Sequence, residues 1–125
     1  MNNNLIGQIG KYLFAIPMLI FGVFHFMAGD KMSGAIPQYI PGGVIWVYVT
    51  GLALVAAAVS IFIGKMTRLA CLLLALMLIV FIVTIHLPGV SSATDEMSKQ
   101  MAIIGLLKDV AMAGGALILA SKYPE

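Results

Sequence analysis

Charge is what this 125-residue chain has least of: 10% of its residues are charged, against 62% hydrophobic. A soluble helical domain needs a polar face on every helix, and seven basic and five acidic side chains cannot supply them. The single cysteine, Cys71, excludes a disulfide framework and any thiol relay within the chain, since both need a pair. It reads as a small apolar filler at a helix interface. The net charge of +2 is scattered. No basic run suggests nucleic acid as a partner or a grip on anionic lipid. CxxC, Gly-x-Ser-x-Gly, HExxH and phosphate-binding glycine loops are also missing, which removes the usual sequence marks of thiol redox, serine hydrolase, zinc protease and nucleotide chemistry.

What fills the chain instead is four apolar stretches, Tyr12–Ala28, Val44–Gly64, Leu69–Leu87 and Met101–Ala120, with a mean hydropathy of +1.07 overall. An α-helix crosses the hydrocarbon core with about 20 apolar residues. The expected fold is therefore all-α: one domain, a polytopic bundle of four transmembrane helices over about 5–28, 44–64, 67–87 and 95–121. The first stretch follows Lys11 but lacks a small-x-small cleavage site and carries Pro17 at its middle, so it reads as a retained helix with a kink. Lys11, Lys65, Arg68 and Lys122 mark one side of the membrane. The other two loops carry Asp30 with Lys31, and Asp95 and Glu96 with Lys99. By the positive-inside rule both termini are expected in the cytoplasm, with the protein in the cell (inner) membrane.

The loop 29–43 (GDKMSGAIPQYIPGG) is too apolar to float in water and too broken by proline and glycine to span. A short interfacial cap between helices one and two suits it. Trp46 and Tyr48 read as interface anchors. Gly51, Ala53, Ala57 and Ala58 on the second helix, and Ala111, Gly114 and Gly115 on the fourth, permit close helix packing or a further subunit. The segment 88–100 (PGVSSATDEMSKQ) is the polar link, with Ser92 or Thr94 as the expected cap of helix four.

Ionisable groups at membrane depth are candidate functional residues by default, and this chain has His25, His86, Lys108 and Asp109. Counting about 1.5 Å per residue from the basic end places His25 about 21 Å up, Asp109 about 20 Å and His86 about 27 Å. The equal depth of His25 and Asp109 predicts a charge-assisted pair that holds or passes a proton. The alternative is a structural contact that only fastens helices. Lys108, about 100° around the helix from Asp109, is expected to snorkel or to line a cavity mouth. His86 stands near a helix end. Nine methionines, with Met27, Met32, Met97 and Met101 toward the same end as His25, offer soft ligands for Cu(I), but methionine is also a common bundle filler and no metal site is assigned. Haem between the two histidines is disfavoured by their difference in depth.

Pro17 with Phe21-Gly22-x-x-His25-Phe26, Ile36-Pro37 and Ile40-Pro41-Gly42, Thr50-Gly51, Gly64-x-x-x-Arg68, His86-x-Pro88, and Leu106-Leu107-Lys108-Asp109 with Gly114-Gly115-Ala116-Leu117 occur in an order that resembles small DoxX-type membrane proteins over about residues 11–120. Lys11 and Gly22-x-x-His25 stand where that family often has Arg and Gly-x-x-Lys, which marks a divergent branch. The resemblance implies an integral subunit of a quinone-linked redox system, similar to the small subunits of thiosulfate:quinone oxidoreductase. Animal members instead act in receptor assembly, so a non-catalytic scaffolding subunit is the rival. On the first reading an outward-facing polar pocket takes a quinone headgroup or a small anion. His25 is then the general base, Asp109 its orienting carboxylate, and His86 and Lys108 bind the cofactor. Electrons would come from a partner or a bound cofactor, with other membrane subunits or further copies of the chain as partners alongside the bilayer and no nucleic acid.

Overall fold

The computed structural model describes residues 2–124, and among these there is no strand. Helix α1 covers Asn3–Met27, α2 Gly29–Met32, α3 Val44–Ile63, α4 Thr67–Phe81, α5 Leu87–Ser92 and α6 Glu96–Ala120. A 3₁₀ turn, Ser33–Ala35, follows α2, and a π turn, Ile82–His86, joins α4 to α5 without a break. Four helical spans, Asn3–Met27, Val44–Ile63, Thr67–Ser92 and Glu96–Ala120, are long and apolar enough to cross a membrane. Only 17–33% of the residues in the most apolar window of each span are buried in the bundle. The exposed remainder is mostly Leu, Ile, Val and Phe, a surface suited to hydrocarbon and not to water. This is a multi-pass membrane protein.

The helix ends explain the element boundaries. Asn2 caps α1, its Oδ1 accepting the Leu5 N–H at 2.8 Å, which starts the helix two residues before the expected position. Pro17 lies inside α1, which runs through it as one element. Helix α3 stops at Gly64, which takes the left-handed conformation (φ 71°) that a side chain disfavours, and its N–H returns to the Ser60 carbonyl. Asp95, not Ser92 or Thr94, caps α6: its carboxylate accepts the Ser98 N–H at 3.4 Å. The Ser98 side chain, with that backbone bond second, holds the Asp95 carboxyl below its ordinary pKa. The polar link is correspondingly short, since the helix expected to end at Leu87 continues to Ser92.

Two tight seams build the bundle. Helix α1 packs on α3, the third span packs on α6, α3 meets α4, and α1 touches α6 lightly. At the first seam backbone approaches backbone. A Cβ on Gly22 would lie 2.9 Å from the Gly51 carbonyl oxygen, and one on Gly51 would lie 3.0 Å from that of Gly22. Ala15, Met18, Leu54, Ala58, Ile61, Cys71, Leu74, Leu78 and Ala116 form the central core. At the basic end the Arg68 guanidinium donates to the carbonyls of Ala120 (3.2 Å) and Tyr123 (3.1 Å), a cation placed where the α6 dipole is negative. At the other end Trp46 Nε1–H donates to the Pro41 carbonyl, and Tyr48 stacks on Phe26 with centroids 6.0 Å apart.

Two outcomes follow from this packing. Gly22→Ala and Gly51→Ala should each destabilise the bundle by about 1–3 kcal/mol, because the new methyl meets backbone. Gly114→Ala, with nothing within 4 Å of its Cβ, should stay within about 0.5 kcal/mol in the same detergent unfolding assay. Because the folded Asp95 pKa is lowered, its contribution is complete above about pH 3.9 and is lost as pH falls through the lower folded value. Amide protection factors in the first turn of α6, corrected for intrinsic exchange, should therefore fall over that acid range and be flat above it.

A candidate proton-holding site between the third and fourth spans

The buried stripe of α4 is Cys71, Leu74, Ala75 and Leu78, and an unbroken helix would carry it on to Ile82 and Ile85. The π turn changes that. Pro88 has no N–H to give the Thr84 carbonyl, and its ring would collide with it in a regular α-turn. The widened turn over Ile82–His86 accommodates the proline and adds a residue to the stripe, so that His86 takes the inward position in place of Ile85. Helical side chains lean toward their own N-terminus. Because the third and fourth spans run antiparallel, His86 leans down toward Asp109 and Asp109 leans up toward His86.

They meet with His86 Nε2–H donating to Asp109 Oδ2 at 2.8 Å. Gly105, one turn before Asp109 on the same face of α6, provides the space. A Cβ there would lie 2.9 Å from the His86 ring. The second carboxylate oxygen, Oδ1, faces the Lys108 ammonium at 3.7 Å. That ammonium also lies 4.9 Å from the centre of the Phe21 ring on α1, within cation–π range. Exposure grades across the group: Asp109 is 3% exposed, while the side chains of His86 and Lys108 are 20% and 49% exposed. Among the described residues no buried side-chain nitrogen or oxygen lacks a hydrogen-bond partner. Chemically, the Nε2–Oδ2 contact can hold one proton between nitrogen and oxygen, and Lys108 adds positive charge at the accessible edge.

Three expectations are corrected here. Asp109 pairs with His86 and not with His25. The contacts Phe14–Gly115 and Phe21–Lys108 set the register of α1 against α6, putting residue 20 level with Asp109 and His25 about 7 Å beyond it. His25 lies in the α1–α3 seam, its Cβ against Gly51, and its Nδ1–H donates to the Phe21 carbonyl at 2.6 Å. Counting Cα depth from the basic residues ignored the lean of side chains and the longer third helix. Lys108, expected to point away from Asp109, folds back to it because its long stem spans the angle between neighbouring residues. His86 is likewise no helix-end residue. Gly105 was overlooked, although a glycine four residues before an intramembrane acid was a readable sign of a seat for a ring.

Among the described residues, an apolar groove of about 250 Å³ lies between α3 and α4, and a hollow of about 220 Å³ lies beside Tyr48 and residues 26–31. Neither is lined by His25, His86, Lys108 or Asp109, so the expected outward polar pocket coincides with neither. Among the described residues no three His, Cys, Asp or Glu side chains converge as a metal site would require.

Fold and site together define an all-α, four-span membrane protein with a buried carboxylate held between histidine and lysine. The chain belongs to a family described as a domain of unknown function (DUF8561), whose family model matches residues 14–119. No curated protein and no solved structure matches it.

The geometry predicts that Gly105→Ala displaces the His86 ring without unfolding the bundle. The downfield Nε2–H resonance of a carboxylate-bonded histidine should be present in the parent protein and lost in this variant. His86→Ala leaves Asp109 short of a partner and should cost about 1–3 kcal/mol in detergent unfolding.

Proposed function

We propose that the chain is an integral membrane subunit of a quinone-linked redox system, in which Asp109, His86 and Lys108 form the proton-handling edge of a site for a quinone headgroup or a small anion. The observation that carries this reading is the buried carboxylate answered on one oxygen by an imidazole and on the other by a half-exposed ammonium. Such a group is costly inside a membrane and marks function by default. The DoxX-type resemblance supports the same assignment. A quinone, when bound, supplies the redox chemistry, and the residues present suit its headgroup: a cation, an imidazole and the flat Phe21 ring at one edge. Lys108 attracts an anionic oxygen, His86 with Asp109 holds or releases the proton, and Asp109 keeps the imidazole oriented. The role first assigned to His25 thus passes to His86. In this reading both termini are cytoplasmic in the inner membrane, residues 29–43 lie across the outer end as a cap, and electrons arrive through a partner subunit.

A non-catalytic assembly subunit is the second reading. It is favoured by the deep burial of Asp109 and by the location of both cavities away from it. Asp109→Asn and His86→Gln separate the two. In membranes containing the assembled complex, each should lower quinone-dependent turnover about 100-fold or more while leaving the complex intact on native gels. His25→Gln should leave turnover near that of the parent. Surviving turnover alongside collapsed assembly would establish the scaffolding role instead.

A further inference from the structure

We propose that the groove between α3 and α4 seats one acyl chain of an anionic phospholipid whose phosphate meets Lys65. The groove is walled by Ala53, Ala56 and Ser60 on α3, by Met66 in the turn before α4, and by Leu73 and Met77 on α4. From Met66 to Met77 it runs about 16 Å along the helix axis, close to the ~15 Å hydrocarbon depth of one leaflet. Apart from Ser60 its lining is wholly alanine, leucine and methionine. A single hydrocarbon chain fits such a slot, whereas a helix about 10 Å wide can only lie over it. Small side chains on α3 create the slot, since leucines at Ala53 and Ala56, both exposed, would fill it.

Charge identifies the headgroup. The basic residues are dispersed in sequence, but the fold gathers them at one end. Lys11 lies 5.3 Å from the Tyr12 ring, which stacks on Phe62 at the end of α3. Lys65 is in the α3–α4 turn, and Arg68 binds the carbonyls of Ala120 and Tyr123, next to Lys122. Among the described residues no carboxylate side chain shares that end: Asp30, Asp95 and Glu96 belong to the opposite loops, and Asp109 lies within its span. Arg68 is engaged by the C-terminal carbonyls, which leaves Lys65 as the cation at the mouth of the groove. Its own N–H donates to the carbonyl of Ser60, a groove residue, and its neighbour Met66 closes the same end. A phosphodiester placed there meets positive charge while its chain follows the slot toward the bilayer centre.

Native mass spectrometry of the full chain tests this, using protein exchanged into mild detergent and supplied with phosphatidylglycerol or phosphatidylethanolamine of matched chains. One retained phospholipid is expected, with about a fivefold preference for phosphatidylglycerol. Ala53→Leu with Ala56→Leu should abolish retention of both lipids, and Lys65→Gln should remove the preference while leaving retention. Should the leucine variant fail to fold, the Lys65→Gln result decides, because that turn side chain is exposed. Retention and preference unchanged in the folded variants would overturn the proposal. So would a lipid-free dimer that the leucine substitutions dissociate, which would make the groove a seat for a second copy.

Discussion

A carboxylate surrounded by membrane-spanning helices has to find its partners in the protein, because hydrocarbon offers none. Asp109 meets that demand on both oxygens, and much of the bundle is arranged by the way it does so. His86 reaches it only because the third span widens into a π turn and because Gly105 leaves room for the ring. Lys108 reaches it while lying over Phe21, which brings α1 into the same group. One anionic centre therefore links three of the four spans.

Close packing does the rest, and it is distributed unevenly. The α1–α3 seam closes on glycine, Gly22 against Gly51, and contains no side-chain ion pair among the described residues. The seam between the third span and α6 closes on small residues too, Gly89 against Ala102, and adds the polar pair one turn away. In lipid the hydrophobic effect does not drive helices together, so contact area and buried polar bonds have to. The first seam relies on contact and the second on both.

The fold was readable because membrane thickness dictates span length, and the four apolar stretches of this chain stand out against a nearly uncharged background. Span ends were harder to read. Pro88 looked like a stop, and the π turn that absorbs it leaves no mark in the periodicity before it. The candidate residues were legible by type, since His86, Lys108 and Asp109 are conspicuous among leucines. Their pairing was not legible. Depth along a helix axis says nothing about which neighbour a helix faces, and α6 faces the third span far more than it faces α1. The equal heights assigned to His25 and Asp109 were thus a weaker guide than the Gly105–Asp109 spacing.

A π turn winds in one residue more than the α-turns on either side, and one residue corresponds to about 100° of rotation. Below Ile82 the third span shows its neighbour a hydrocarbon face of Leu74 and Leu78, and above it a face of imidazole and glycine. The span thus behaves as two half-rods joined through one extra residue, and deleting that residue would leave the histidine at the inward position of a regular helix. Rewinding the π turn into regular α-turns at constant length would instead return Ile85 to that position and turn the histidine away from its partner, while the helix still crossed the bilayer. Chemistry and membrane fit are set independently along this one helix.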